Sequence, residues 1–488
     1  MTANQGKNIF KCLDWTTVGF YIIFVVWGWF TIYSASYKFD EPNIFSFDYN
    51  SGKQLMWIGL GLLLACILLA IEKRIYEMYA VFIYGAFILA LILTMMFAPD
   101  TKGSRSWIPL GFMKIQPAEF AKFSVALILG HTIDKLGFSL KKSSDLLKAA
   151  ALILIPLIII ILQKETGTAL VYLAFLLVLY REGMSGSILF CIFAAIVYFV
   201  VGIRFNEDFI EQMNVCIGEF AVLILAQVFT TGLVLFVCHD KQAARWMAGI
   251  GLGISILVVL FSFFVIPFNF TWILIIVNLT QVGYLIYLGI NTRFHRYFAI
   301  AIFAFISTIF FYISGFLLNR LSPHQRTRVE VLLGKKSDIS GAEYNVNQAI
   351  IAIGSGGLSG KGYLNGTQTK LSFVPEQETD FIYCTIGEEG GFIWSSLLLI
   401  VYLLFIWRLI HLAERQPDTP GRVYGYSVVS IFIFHLFINV GMVLGMTPVI
   451  GIPLPFFSYG GSSLFGFTIL LFIFLRMDAE SRLNYKVQ

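Results

Sequence analysis

The chain has 488 residues, of which 58% are hydrophobic and only 13% are charged. Apolar runs of about twenty residues recur along its whole length, which predicts an all-α polytopic membrane protein and excludes a soluble one. The net charge of +5 is modest, and the basic residues form short clusters between the apolar runs. These clusters indicate membrane topology rather than nucleic-acid binding.

The apolar runs predict about fourteen membrane-spanning helices. The first run is too long for a secretory signal peptide and lacks a small-residue cleavage site, so it is interpreted as a span. The predicted spans lie near residues 16–36, 54–71, 76–98, 117–137, 147–163, 168–181, 186–203, 219–238, 247–266, 271–290, 297–318, 381–409, 425–445 and 455–476.

The charges of the connecting loops predict an N-terminus on the inner side of the membrane. Alternate loops carry pairs of basic residues, such as Lys73 with Arg74, whereas the loop "FNEDFIEQMN" is acidic and is assigned outside. Arg105, Lys114 and the basic residues after Arg320 fall outside, against the trend. We expect these outward cations to have a function.

The longest outer loop covers about residues 319 to 380 and contains "IGSGGLSGKG", "NGTQ" and "VPEQETD". Its glycines favour turns and short re-entrant pieces over one regular helix. Aromatic and aliphatic residues recur throughout it, so we expect the loop to be ordered and to pack against the membrane domain. Ordered long loops are more often functional than not.

The segment "IQPAEFAKF" places an acid and a base inside a predicted span. Pro117 suits the first turn of a helix, and Glu119 and Lys122 share one helix face because they are three residues apart. A pair that only satisfies itself at the mouth of the helix is one reading. The other is a cavity or pathway, which intramembrane ionisable residues mark because they are costly to bury.

Three further segments place polar groups at or near the same side of the membrane. "QKETGTAL" holds Lys164 and Glu165, for which a solvated loop is the more economical interpretation. "ETDFIYCTIGEEGGF" puts Asp380, Glu388 and Glu389 at the start of a long span, where they need caps or cations. "TPVIGIPLPFFSYGGSS" breaks the backbone at membrane depth, which is tolerated only against protein or a water-filled cavity. A polar substrate handled at the outer surface fits all of these segments.

Three long motifs carry a resemblance: "GSRSWIPLGFMKIQPAEFAK", "IAIGSGGLSGKGYLNGTQTKLSFVPEQETDFIYCTIGEEGGF" and "NVGMVLGMTPVIGIPLPFFSYGGSSL". They resemble the SEDS family of peptidoglycan glycosyltransferases, which contains RodA, FtsW and SpoVE, over roughly residues 10–185 and 297–480. "NGTQTKLSFVPE" and "PVIGIPLPF" are more similar to RodA, the elongation member. The resemblance implies N-terminal family helices at 1–185, about four inserted spans at 186–296, a helix at 297–318, a catalytic loop at 319–380 and C-terminal helices at 381–488.

The resemblance also implies an activity and its residues. The enzyme would join lipid II units into glycan strands outside the cytoplasmic membrane during cell elongation. By position in the loop, Asp338 would be the general base or a cation-binding carboxylate, with Glu330 and Glu343 as the neighbouring alternatives. The match to "QPAE..K" implies that Gln116, Glu119 and Lys122 line the central cavity, with Lys122 as a partner for Asp338.

The expected chemistry is attack of a sugar 4-hydroxyl on the anomeric carbon of a donor that leaves as a lipid pyrophosphate. A carboxylate accepts the hydroxyl proton, and cations offset the charge on the leaving group. Arg105, Lys114, Lys122 and Lys361 are the candidate cations, and a divalent metal, Mg or Mn, is a further candidate. The remaining candidate substrate-binding residues are Gln348, Thr379, Asp380, Glu388 and Ser458.

The implied setting is the cytoplasmic membrane of a bacterium, with the long loop outside. The implied partners are a class B penicillin-binding protein that crosslinks the strands, other proteins of the cell-elongation complex, and membrane lipids. A lipid-precursor flippase is the runner-up, since charged residues in spans and broken helices are also typical of transporters. A non-catalytic scaffold for a cell-wall complex is the third reading, and it predicts that the loop carboxylates are dispensable.

Overall fold

The computed structural model describes residues 9–37, 44–100, 103–109, 111, 114–320, 323–335 and 342–485. Over these ranges the chain is mostly helical, and its strands form two short two-stranded ribbons. The chain divides into two compact units. The larger unit comprises Met1–Met184 and Tyr344–Gln488, and the smaller unit comprises Ser185–Glu343.

The helices and strands follow in chain order. The first part of the larger unit contains α1 (Trp15–Ser36), α2 (Asn50–Ala70), α3 (Lys73–Met78), α4 (Ala80–Phe97), β1 (Ile108–Pro109), β2 (Lys114–Ile115), α5 (Pro117–Ile133), α6 (Ser143–Leu162), α7 (Thr166–Val171) and α8 (Phe175–Arg181). The next part contains α9 (Gly186–Arg204), β3 (Phe209–Ile210), β4 (Val215–Cys216), α10 (Ile217–Val237), α11 (Lys241–Trp246), α12 (Gly253–Phe264), α13 (Thr271–Thr292), α14 (Arg296–Arg320) and α15 (Pro323–Leu332). The last part contains α16 (Ala342–Gly356), α17 (Thr367–Lys370), α18 (Ile382–Glu414), α19 (Thr419–Val443) and α20 (Gly461–Tyr485).

Twelve helical runs of the described chain are long and apolar enough to cross a membrane, and one of them is the continuous run Lys241–Phe264, which includes α11 and α12. The two other predicted spans fall on shorter helices, namely α5 with 17 residues and the run Thr166–Arg181. The predicted span at 455–476 starts too early, because α20 begins only at Gly461 and the preceding prolines and glycines belong to an irregular segment. Hydropathy alone does not separate apolar irregular backbone from helix.

Aromatic packing builds the core of the larger unit around α1, α18, α19 and α20. Phe24 of α1 stacks on Tyr402 of α18 with ring centroids 4.1 Å apart, and Phe405 and Phe456 complete the contact. Helices α19 and α20 are largely buried, whereas α4 is mostly exposed. Because α19 and α20 are enclosed by other helices, polar side chains on them face protein rather than lipid.

Arginines and carboxylates join the helix ends at one end of the larger unit. Asp14 caps the start of α1 and accepts hydrogen bonds from Arg408 of α18 (Nη2–Oδ1 2.5 Å) and Arg482 of α20 (Nη2–Oδ1 3.1 Å). Asp478 of α20 pairs with Arg415 (2.5 Å) and with Arg482 (3.3 Å). We call these five residues the arginine cluster. It ties α1, α18 and α20 together at the same end.

The smaller unit is held together by neutral polar contacts inside its spans. Gln227 of α10 and Ser255 of α12 exchange hydrogen bonds of 2.9 and 3.0 Å. A π-helical turn, Met247–Leu252, joins α11 to α12, and its Met247 carbonyl accepts a hydrogen bond from Gln281 Nε2 (3.2 Å). A Cβ on Gly251 would lie 1.8 Å from that nitrogen, so the glycine permits the contact. Amide and hydroxyl contacts of this kind stabilise helix association in membranes.

Candidate functional site

A buried ion pair lies in the first turns of α5. Lys122 Nζ is 2.8 Å from Glu119 Oε2, and both side chains are buried, with Lys122 0% exposed. Pro117 occupies the first turn of the helix, and the helix places Glu119 and Lys122, which are three residues apart, on one face. The predicted pairing is therefore present. Two charges taken out of water need each other and further hydrogen bonds, so the surroundings of the pair decide what it can do.

Gln116 fastens the start of α5 to two other elements. Its backbone N–H donates to Ser462 Oγ of α20 (3.0 Å), and its side-chain Nε2 donates to Thr168 Oγ1 of α7 (3.3 Å). Gln116 is buried, and its assignment to the wall of a central cavity stays a prediction.

The third member of the buried cluster is His435 of α19, which the sequence analysis missed. Its Nε2 lies 3.1 Å from Lys122 Nζ, and its Nδ1 lies 3.0 Å from the carbonyl oxygen of Pro453. The ring of Phe467 packs edge-on against the imidazole, with Lys122 Nζ 5.0 Å from that ring's centre. A lone histidine in an apolar run is usually a packing residue, so the available signal was only its position four residues before Asn439.

Asn439 holds irregular backbone in place one helical turn after His435. Its Nδ2 donates to the carbonyl oxygens of Asp380 (2.8 Å) and Ile452 (2.7 Å), and its Oδ1 is buried without a partner in the described structure. The Asp380 side chain is half-buried, and a Cβ on Gly451 would lie 3.2 Å from its Oδ2. The start of α18 and the broken segment therefore meet at one asparagine.

The broken segment, residues 444–460, links α19 to α20 without helix. Ser458, predicted to bind substrate, is buried, and its Oγ accepts a hydrogen bond from Leu454 N (2.9 Å). Tyr402 donates to the Pro455 carbonyl (2.7 Å). The polar backbone of this segment is thus satisfied by side chains, as membrane-depth irregular structure requires.

Glu388 accepts hydrogen bonds from the glycine-rich loop and holds it against α18. Its Oε1 accepts from Lys361 Nζ (2.6 Å), Thr367 N (2.7 Å) and Gln368 N (2.8 Å), and its Oε2 accepts from Thr369 N (2.9 Å). The side chain is 0% exposed. The candidate residues Lys361 and Glu388 are therefore brought together, and the contacts of Glu388 cap α17 rather than leave a free carboxylate.

Helix α18 is kinked just after Glu388 and Glu389. Gly391 has a φ of +66°, which interrupts α18, and a Cβ there would lie 2.3 Å from Gly360 N. Glu389 accepts a hydrogen bond from Ser34 Oγ of α1 (2.5 Å), and its carbonyl accepts from Gly362 N (2.9 Å). We call Glu388, Glu389 and residues 357–370 the loop seat. Glycines are required here because two backbones touch.

Arg105 and Lys114, the predicted outer cations, form no hydrogen bond or ion pair with Glu119, Lys122 or His435 in the described chain. Arg105 and Lys114 have exposed side chains, and neither forms an ion pair within the described ranges. Arg105 is placed by its backbone N–H, which donates to the Gln163 carbonyl (3.2 Å). Gln348 lies half-buried on α16, and Thr379 Oγ1 donates to the Glu376 carbonyl (3.2 Å).

Asp338, the predicted loop carboxylate, lies outside the described residues. Of its alternatives, Glu330 is paired with Arg326 on α15 (2.5 Å), and Glu343 lies at the start of α16. In the part of the chain that is described, no three His, Cys, Asp or Glu side chains converge as metal ligands. The assignment of Asp338, and its predicted contact with Lys122, stay predictions.

Comparison with known proteins extends over nearly the whole chain. The family described as Cell cycle protein, which groups FtsW, RodA and SpoVE, matches residues 14–217 and 222–483. The peptidoglycan glycosyltransferase MrdB of Escherichia coli K12 is 29% identical over 483 residues, covering 97% of each chain. The peptidoglycan glycosyltransferase RodA of Treponema pallidum is 30% identical over 458 residues, covering 92% of this chain and 93% of its own.

Solved structures share the fold. A peptidoglycan synthase complex that coordinates polymerization and crosslinking contains a chain with a TM-score of 0.57 and 22% identity, covering 96% of this chain and 98% of that one. The rod shape determining protein RodA of Thermus thermophilus gives a TM-score of 0.53 and 20% identity, with 96% of each chain covered. These matches confirm the all-α polytopic fold predicted from the apolar runs.

Proposed function

The chain belongs to the FtsW, RodA and SpoVE family and is a peptidoglycan glycosyltransferase, and from this premise we propose that it polymerises lipid II into glycan strands for cell elongation. The observation that carries the proposal is the buried Glu119–Lys122 pair beside the broken segment. A buried ion pair next to irregular backbone in a span fits a site for a polar group at membrane depth. A solved structure named as a rod shape determining protein, which shares the fold of this chain, supports the elongation role.

In the proposed reaction, the 4-hydroxyl oxygen of the acceptor sugar forms a bond to the anomeric carbon of the donor. The bond from that carbon to the pyrophosphate oxygen breaks, and the lipid pyrophosphate leaves with the bonding electrons. The hydroxyl proton passes to a carboxylate, for which Asp338 is the candidate. The exposed Arg105 and Lys114 are the candidate cations for the leaving group, because neither is consumed by an ion pair within the described structure.

Lys361 has a different part in the proposal. Its ammonium donates to Glu388 and to Thr367 Oγ1 (2.7 Å), so it holds the loop seat together.

A divalent cation, Mg²⁺ or Mn²⁺, is a further proposal for offsetting the pyrophosphate charge. The described residues supply no cluster of three ligands for it, and no step above depends on it. Polymerisation in the presence of a chelator tests that requirement.

The setting of the reaction is also proposed. The chain spans a membrane many times, and the alternation of basic loops favours the bacterial cytoplasmic membrane with residues 319–380 outside. A class B penicillin-binding protein is the proposed partner, since a chain of the same fold is found in a synthase complex that coordinates polymerization and crosslinking. Proteins of the cell-elongation complex and membrane lipids complete the proposed surroundings.

The test is lipid II polymerisation by the purified protein, alone and with a class B penicillin-binding protein, read on a glycan gel. Wild type should give long strands, and Asp338→Ala should give none while melting at the wild-type temperature. Glu330→Ala and Glu343→Ala are the matched controls for the alternative carboxylates. Strands from folded Asp338→Ala would remove that assignment. No strands from wild type with its partner would favour the flippase or scaffold, which lipid II translocation in liposomes then separates.

A further inference from the structure

His435 stands between two parts of the larger unit that no sequence motif connects. On one side it contacts Lys122, and on the other it contacts the carbonyl of Pro453 in the broken segment. His435 is 1% exposed. A buried polar side chain in a span is costly unless both of its polar atoms are used.

The neighbours of the imidazole determine its tautomer. A carbonyl oxygen only accepts hydrogen bonds, so the nitrogen that faces Pro453, Nδ1, must carry the proton. A lysine ammonium only donates, so the nitrogen that faces Lys122, Nε2, must accept. Both neighbours therefore require the same form, a neutral ring protonated on Nδ1. A doubly protonated ring would point an N–H at the ammonium.

The His435 ring orients the Lys122 ammonium, and the ammonium in turn orients the Glu119 carboxylate. Lys122 directs one N–H to His435 and one to Glu119 Oε2, which fixes the position of Nζ. Glu119 Oε1 accepts no hydrogen bond within the described chain. The lysine therefore sets the orientation of the whole carboxylate through its contact with Oε2.

The same face of α19 holds the broken segment at two consecutive carbonyls. Asn439 donates to Ile452 and His435 donates to Pro453, four residues and one helical turn apart. A displacement of the broken segment therefore moves the ring, and a displacement of the ring moves Lys122.

We propose that His435 is a positioning residue for glycosyl transfer: its Nδ1-protonated imidazole fixes Lys122 against Glu119 and couples that pair to the broken segment through Pro453. The inference rests on the proposed function. It predicts that the contact with Lys122, rather than the presence of a packed side chain at position 435, determines the rate.

Two matched substitutions separate the contacts of the ring. His435→Gln can place its amide oxygen near the position of Nε2 and keep an acceptor for Lys122. His435→Asn can place its amide nitrogen near the position of Nδ1 and keep a donor for Pro453. We expect His435→Asn to lower kcat for lipid II polymerisation about 10- to 100-fold, the scale of a misplaced reacting group, with a smaller change in KM. His435→Gln should retain within about tenfold of the wild-type kcat.

The outcomes of that comparison are distinct. Equal activity of folded Gln and Asn variants, or higher activity of the Asn variant, would overturn the proposal. His411→Gln, at an exposed site near the end of α18, is the matched control and should polymerise like wild type. A wild-type protein that makes no strands with its partner present would instead count against the proposed function.

Nitrogen NMR tests the protonation state of the His435 ring directly, even if His435→Asn does not fold. In wild-type protein labelled with ¹⁵N-histidine, the signal that His435→Gln removes should show a neutral ring protonated on Nδ1. Its Nε2 shift should change in Lys122→Met. A ring protonated on Nε2, or a doubly protonated ring, would contradict the contacts on which the proposal depends.

Discussion

Carboxylates are held in two different ways at the two ends of the larger unit. In the arginine cluster, Asp14 and Asp478 are gripped by guanidinium groups that project from the ends of other helices. In the loop seat, Glu388 is held by three backbone N–H groups and one lysine. The first arrangement joins regular helices to each other. The second gives irregular backbone the hydrogen bonds that it cannot make for itself.

The largest effect is expected where the loop seat loses its carboxylate. Glu388→Ala removes the buried acceptor that Lys361 and three backbone N–H groups share, so we expect a loss of about 3–5 kcal/mol in the free energy of unfolding. The loop should also become sensitive to limited proteolysis between residues 357 and 380. Glu211→Ala, on an exposed residue, is the control. A Glu388→Ala protein as protease-resistant as the control would show that the loop is held elsewhere.

A smaller loss of stability is expected when a side chain is added where Gly360 touches the backbone of Glu389. Gly360 has a φ of +78°, and an added Cβ would lie 2.1 Å from the Glu389 carbonyl oxygen. Gly360→Ala should therefore lower the free energy of unfolding by about 2–3 kcal/mol. Gly354→Ala is the matched control, since that glycine lies in α16 with nothing within 4 Å of the added atom, and it should stabilise by up to about 1 kcal/mol. Thermal melting of both variants in one detergent measures the difference, and equal melting temperatures would refute the close contact.

The arginine cluster should respond more moderately and in a way that depends on pH. Burial opposes ionisation of Asp14, but hydrogen bonds from Arg408 and Thr17 outweigh it and hold the pKa of Asp14 below its ordinary value. Asp14→Asn keeps the cap of α1 but loses the charge, so we expect a loss of about 1–3 kcal/mol at neutral pH.

The sign of the pH effect follows from the lowered pKa. The unfolded carboxyl titrates near about 3.9, so the stabilisation is complete above that pH and is lost as the pH falls toward the folded value. The difference in melting temperature between wild type and Asp14→Asn should be constant from about pH 5 upward and shrink below about pH 4. A difference independent of pH down to about pH 3 would mean that the carboxylate charge is not what stabilises the cluster.

The sequence predicts contacts within one helix better than contacts between distant segments. The spacing of three between Glu119 and Lys122 on a helix that starts at Pro117 is local, so the pairing could be inferred. The contact of Lys361 with Glu388 joins residues 27 positions apart through a turn whose path depends on tertiary packing, so the two were named as candidates without being paired. His435 carried no motif at all, because its partners Lys122 and Pro453 lie on other segments. Helical spans follow from composition, whereas the partners of a buried polar atom follow from packing.

The smallest change in the free energy of unfolding is expected for an exposed ion pair near the arginine cluster, and a less exposed pair provides the comparison. Arg181 pairs with Glu414 at 2.9 Å, but the two side chains are 47% and 50% exposed, whereas the side chains of Arg422 and Glu182, also 2.9 Å apart, are 31% and 6% exposed. Water and salt screen the first pair, so Arg181→Ala should cost no more than about 1 kcal/mol and less at 1 M salt. Arg422→Ala strands a nearly buried carboxylate and should cost more than Arg181→Ala under the same conditions. Melting both variants at about 0.1 M and 1 M salt tests this. If the two cost the same, burial of the carboxylate is not what gives an arginine pair its strength at this end.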